Sequence, residues 1–169
     1  SLLTLDLNDV DLARIAQQAE HQYAGVKCGI LDQMAVSLAD AQHLLFLDTR
    51  TLQYERIPIP TGAEILVLDS GIARTLTESG YNQRRKECEA AAQEQGLRAL
   101  RDLTHLAQLQ SLPLLLQQRA RHVFTENQRV LATKQGLSAL EFGALMNASH
   151  ISLRDDYAVS VAGLDCLVD

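Results

Sequence analysis

Pro58, Pro60 and Gly62 stand close together near the first third of the chain, and they separate two textures that cannot belong to one continuous element. A proline has no N–H to give a ladder or a helix interior, so elements end at such a cluster. Upstream, the pattern mixes helix with short strands; from Thr77 onward it is mainly helical. An α+β first part followed by a helical second part calls for two packed subdomains, or portions of them, with the boundary placed between residues 60 and 61.

The first part opens with a helix. Asn8 or Asp9 caps it, and two rows of residues run along its neighbouring turns. One row is Val10, Ala13, Ala16 or Gln17, and Glu20; the other is the apolar stripe Leu12, Ile15, Ala16 and Ala19. Gly25 provides the stop. A second helix follows Gly29, with Asp32 in or beside its first turn. His43–Asp48 reads as a buried strand, Thr49–Thr51 as a turn, and Leu52–Ile57 as a half-exposed strand by its alternation. Glu64–Asp69 reads as another buried strand. Helices are expected near residues 78–95, 103–110, 113–135, 138–150 and 160–169, with stops at Gly96 and Gly136. Aromatic residues are only 4% of the 169 and Trp is absent, so the cores must be built from Leu, Ile, Val and Ala.

Charge and cysteine usage narrow the function classes. The net charge is -6, and the longest basic run is Arg84-Arg85-Lys86. A duplex-binding surface needs enough cations to neutralise several phosphates, so nucleic acid is not an expected partner. Cys28, Cys88 and Cys166 are odd in number, widely spaced and never C-x-x-C, which fits free thiols in a reducing cytosol. The opening apolar run lacks a basic region, and Leu114–Leu116 is far too short to cross a bilayer, so no membrane association is expected. The absence of an initiating Met, and an end inside an apolar pattern, lead us to expect a segment of a longer chain.

The residues that can do chemistry are few. The nine glycines never fall two apart, so no Gly-rich phosphate cradle is present. Asp32, flanked by Ile30, Leu31 and Met34, has the character of a carboxylate that accepts a proton from a substrate hydroxyl; the alternative is an aspartate that only caps a helix start. Glu20 is either a Mg²⁺ ligand or a solvated helix-face glutamate. Ser149 and His150 are adjacent, so on a helix they diverge by about 100° and cannot form a nucleophile–base pair. Arg154-Asp155-Asp156 reads as a clamp at a helix junction, and Arg119-Ala120-Arg121-His122 as a salt-bridged helix face. His21, His43, His105 and His122 are scattered without metal-ligand spacing.

Four stretches, in order, resemble the galactokinases, sugar kinases of the GHMP superfamily. AEHQYAGVKCGILDQ, from Ala19 to Gln33, resembles A-E-x-x-[FY]-x-G-x-x-C-G-I-M-D-Q, with Leu31 in place of Met. Ser79–Glu89 resembles S-E-Y-N-x-R-R-x-x-C-E, with Gly80 where Glu is common. Arg119–Asn127 resembles R-x-R-H-x-x-x-E-N, and Leu145–Tyr157 is similar to L-M-x-x-S-H-x-S-[LM]-R-D-D-[FY]. Order and separation are independent constraints, and together the four span nearly the whole chain.

The resemblance implies an incomplete GHMP-kinase two-domain fold. Residues 1–60 would be the end of the S5-like N-terminal domain, and 61–169 the helical start of the ferredoxin-like C-terminal domain. It implies that Asp32 is the catalytic carboxylate beside the C1 hydroxyl of galactose. Gly29 and Tyr81 would border the sugar with Asp32, and Glu20 would help hold Mg²⁺. ATP is the implied co-substrate, and the full-length protein is implied to be a cytoplasmic monomer. The loop Asp69–Leu76 corresponds to the family's N-S-N-x-x-R-x-L, but Asp69 and Gly71 depart from it and no site is assigned there. An N-terminal sugar motif, a phosphate loop and a C-terminal Gly-rich loop are not in this sequence, so the 169 residues alone are expected to lack kinase activity. Alternatives are a kinase for N-acetylgalactosamine or arabinose, a non-catalytic galactokinase-like sugar sensor, and a helical interaction module.

Overall fold

The computed structural model describes residues 7–25, 27–72 and 80–168. Val26, residues 73–79 and both chain ends lie outside it, and with them part of the loop after Asp69 and the expected helix start at 78–79. The chain divides into two compact units, Ser1–Ile59 and Pro60–Asp169.

In the first unit, α1 spans Asp9–Ala19, and the Asn8 side chain accepts from the Asp11 N–H as its cap. A π-helical turn, Glu20–Ala24, continues it, and Gly25 ends it at φ +67, where a residue without Cβ is favoured. α2 spans Leu31–Leu38. β1 (His43–Leu47) and β2 (Tyr54–Pro58) form an antiparallel hairpin in which Leu45 faces Arg56 and Phe46 faces Glu55. Between them, Asp48 Oδ1 accepts from the N–H groups of Arg50 and Thr51, and Leu52 takes φ +61. That conformation costs a leucine about 1–2 kcal/mol, and the packing of its side chain against the core offsets the cost.

The core of this unit is Ala13, Ile30, Met34 and Leu38, with Val10, Leu45, Leu47 and Leu52 packed on it. Of the two rows on α1, the Val10–Ala13–Gln17–Glu20 row turns inward, and the Leu12–Ile15–Ala16–Ala19 stripe is exposed. The apolar stripe read from the sequence is therefore not the packing face of this unit; small Ala13, 1% exposed, marks the face that packs inward. β1 is half-buried along its whole length, not fully buried as expected.

The second unit corrects one expectation outright. Glu64–Asp69 is not a strand: residues 63–72 hold no regular element, and Leu66 and Val67 are 79% and 86% exposed. A strand exists by pairing its backbone with a neighbour, and β1–β2 is the sole sheet among the described residues. An apolar run marks a segment as able to be buried without supplying the partner.

The helices follow the sequence closely. α3 spans Tyr81–Glu94 after Gly80 at φ +70. It closes with the Gly96 N–H donating to Gln93 O and the Leu97 N–H to Ala92 O, the paired bonds of a Schellman stop. The segment expected as a helix over 103–110 instead holds a 3₁₀ turn, Leu106–Ser111, and another, Leu100–Asp102, precedes it. α4 runs Leu114–Ala132, extended by a 3₁₀ turn to Gln135. α5 spans Ala139–Asp155, past the expected end at 150, and starts with a Ser138–Glu141 capping box. α6 covers Ala162–Val168. The core joins Ala91 and Ala92 of α3 to Ala120 of α4, where small side chains allow close helix approach, and to Leu100, Leu103, Leu109 and Leu112.

Candidate active site

Where the π turn hands the chain to α2, Glu20 is joined to Cys28 and Gln33, while no hydrogen bond links it to Asp32 among the described residues. His21 Nε2 lies 2.8 Å from the Cys28 carbonyl oxygen, and Gln17 Nε2 donates to the same oxygen at 3.2 Å. Two side chains from the end of the first helix thus pin the returning loop. On the other side of that loop, Cys28 Sγ donates to Glu20 Oε2 at 3.3 Å. Gln33 Nε2 donates to Glu20 Oε1 at 2.7 Å and lies 3.8 Å from Cys28 Sγ. Burial pushes the Cys28 thiol up, and the hydrogen bond and charge of Glu20 push it further, so it stays a protonated donor.

Glu20 is half-buried, and its two hydrogen-bond partners, an amide and a thiol, are neutral. A carboxylate offers about four acceptor positions, so the group keeps both charge and lone pairs for a cation. Mg²⁺ takes one or two protein carboxylates together with phosphate oxygens and waters. The Glu20 donor set fits that demand. No cluster of three or more His, Cys, Asp or Glu side chains suited to a metal occurs among the described residues.

Asp32 occupies the first turn of α2, exposed, and makes no hydrogen bond or ion pair among the described residues. The N-cap of this helix, Ile30, contributes no side-chain bond, and Asp32 caps none of the backbone donors. That leaves the capping alternative without its hydrogen bond. Gly29 precedes the turn, and among the described residues beyond its chain neighbours nothing lies within 4 Å of where its Cβ would be. The backbone of Tyr81 begins α3 in the second unit; its side chain lies outside the described part of the molecule. Sequence reasoning missed Gln17, His21 and above all Gln33 as the groups that set this site. Gln33 adjoins Asp32 in the chain, but its reach to Glu20 crosses 13 residues and no periodicity signals it.

The other three motif stretches have a different fate. Glu87 Oε2 accepts from Arg119 Nε at 2.6 Å, both groups being buried, and Glu87 also accepts from Arg84 and Gln83. Arg119 Nη1 donates to the Asp156 carbonyl at 2.5 Å, and Arg121 pairs with the Asp156 carboxylate. His122 Nδ1 lies 2.9 Å from Ser152 Oγ, its ring stacked on Tyr157 at 4.3 Å. Burial pushes Glu87 up, but the Arg119 and Gln83 hydrogen bonds and the two arginine charges outweigh it and hold the carboxyl below its ordinary range. Desolvation is the main cause that lowers His122, which therefore stays neutral. These residues bind α3, α4 and the end of α5 together. Ser149 donates to Glu126 at 2.6 Å, while His150 lies 3.2 Å from Asp165, so the two side chains serve separate partners and form no catalytic pair.

Comparison with known proteins bears on the chain as a whole. Residues 1–40 match the GHMP kinases N terminal domain. A galactokinase of Roseiflexus sp. is 47% identical over 97% of this chain and 45% of its own length. Galactokinases of Chloroflexus aurantiacus and Chloroflexus aggregans are 45% and 47% identical over 99% and 98% of the chain. The crystal structure of Lactococcus lactis galactokinase complexed with galactose aligns with a TM-score of 0.81 at 34% identity, over 96% of this chain and 45% of that one. The chain spans a little under half the length of these relatives, and its α+β arrangement is an incomplete GHMP-kinase fold. Over nearly its whole length the chain is similar to one portion of the galactokinases, and its first 40 residues match the N-terminal domain of the GHMP kinases.

Proposed function

We propose that the intact protein transfers the γ-phosphoryl group of ATP to the C1 hydroxyl of galactose, giving galactose 1-phosphate and ADP. Asp32 is the catalytic carboxylate in this reading, Gly29 and Tyr81 border the sugar, and Glu20 holds Mg²⁺. The observation that carries it is the exposed Asp32 carboxylate, without hydrogen bond or ion pair among the described residues, next in the chain to the Gln33 that fixes Glu20. Identity to galactokinases over nearly the whole chain supports the same assignment.

The chemistry asks for placement and charge neutralisation more than for covalent help. Asp32 accepts the hydrogen bond of the C1 hydroxyl and takes its proton as the oxygen bonds to the γ-phosphorus and the bond to the ADP oxygen breaks. Gly29, which has no Cβ, lets the sugar approach the backbone. Glu20, held by Gln33 and Cys28, presents negative charge to the cation. Bound Mg²⁺ supplies neutralisation of the β- and γ-phosphate charge. Three free thiols and a net charge of -6 support a cytoplasmic protein with neither nucleic-acid nor membrane partners, and we read it as a monomer. Among the described residues, no helix is long and apolar enough to cross a membrane.

The test is ADP release by the intact protein on a panel of galactose, N-acetylgalactosamine, arabinose and glucose, with the phosphate position read by NMR. Galactose is expected to give the highest kcat/KM, with phosphate on C1. Preference for another sugar moves the substrate assignment, and absence of turnover with every sugar, despite galactose binding, replaces the kinase by a sensor. The 169-residue chain alone is expected to be inactive.

A further inference from the structure

The inner face of α2 is apolar at Met34 and Leu38, yet Gln33 beside them is only 8% exposed. Its amide nitrogen donates to Glu20 at 2.7 Å. A carboxylate only accepts, so the nitrogen must be the end that faces Glu20, and the orientation of the amide is settled by its partner. The other end, Oε1, is buried without a hydrogen-bond partner among the described residues. An acceptor in that position costs stability that an apolar side chain of the same size would not. A penalty of this kind persists where the rest of the group serves something other than the fold.

What the nitrogen serves is Glu20. That carboxylate has no cationic partner among its hydrogen bonds, and a half-buried glutamate at the start of a π turn has several rotamers open to it. The Cys28 thiol is a weak donor at 3.3 Å; the Gln33 amide is the strong one. We propose that Gln33 is a positioning residue for the metal: its amide fixes the Glu20 carboxylate in the orientation that meets Mg²⁺, at the expense of its own buried carbonyl. The inference rests on the reading of Glu20 as the Mg²⁺ ligand. Groups that orient a ligand from behind typically change metal affinity by about 10–100-fold when removed.

The experiment uses the intact protein, with Gln33→Leu, Gln33→Met and Glu20→Gln. Calorimetry gives ADP affinity with Mg²⁺ and with EDTA, and urea unfolding gives stability. Wild type is expected to bind ADP more tightly with Mg²⁺. Gln33→Leu and Gln33→Met should shrink that advantage about tenfold, leave the EDTA affinity unchanged, and not lower the urea midpoint. An unchanged Mg²⁺ advantage with a lowered midpoint makes Gln33 a structural residue and overturns the proposal. Should Glu20→Gln shrink the advantage while neither Gln33 variant does, the positioning role alone falls. Should Glu20→Gln leave it intact, the assignment of Glu20 fails and the role of Gln33 fails with it.

Discussion

The motif stretches of the two units handle their acidic side chains in opposite ways, although elsewhere in the first unit Asp40 is paired with His43 and Arg56. In the second, Glu87 takes Arg119, Arg84 and Gln83, Asp156 takes Arg121, Glu126 takes Arg129 and Ser149, and Asp155 takes Arg154. In the first, Glu20 has only an amide and a thiol, and Asp32 has neither bond nor ion pair among the described residues. Stretches that all resemble galactokinases therefore do different work. Where the charge is consumed internally, a motif is architecture; where it is left over, the motif is available to a ligand. Ligand sites are rarely optimal for stability, and uncommitted carboxylates are one form that takes.

The contrast can be broken at several points. The largest effect is expected at Asp32: Asn there should cut turnover of the intact protein by about 10²–10⁴-fold, measured as ADP release with galactose. An undiminished rate would remove Asp32 from the chemistry. Next is the buried pair of the second unit. Glu87→Gln leaves Arg119 buried and uncompensated and should destabilise by about 3–5 kcal/mol in urea unfolding. Adding Arg119→Met to Glu87→Leu should recover part of that loss, because the pair is then replaced whole.

A pH series sharpens the same point. The folded His122 titrates below its ordinary value, so the unfolded chain binds more protons, and stability present above about pH 6.5 is lost as pH falls through the folded value. Glu87 is also lowered, so its contribution, present above about pH 4.5, is lost in turn on further acidification. Both losses run in the same direction, and His122→Phe should flatten the first. The smallest effect is expected at Arg121, nearly half exposed: Ala there should cost about 0–1 kcal/mol, and less in high salt.

Much of this was legible in the sequence, and the parts that were not share a cause. Helix ends were readable where Asn8, Gly25, Gly96 and Gly136 act through their own local backbone. The two strands were readable, the first from its apolar run and the second from alternation. The failures at Glu64–Asp69 and at the apolar stripe of α1 both concern partners distant in sequence, which local pattern does not contain. The site divides the same way. Asp32 and Glu20 stood out by residue type and family resemblance, and Arg119 was correctly read as part of a salt-bridged face. Gln33 did not stand out, because an amide acquires its meaning only from the carboxylate it reaches.

The central claim is that the carboxylate at Asp32 belongs to the ligand and not to the fold. Its most direct test is the unfolding free energy of Asp32→Asn compared with that of wild type. A change within about 1 kcal/mol is predicted, the size of a first-turn charge on a helix dipole. A loss of about 3 kcal/mol or more, like that of a broken buried pair, would contradict the account.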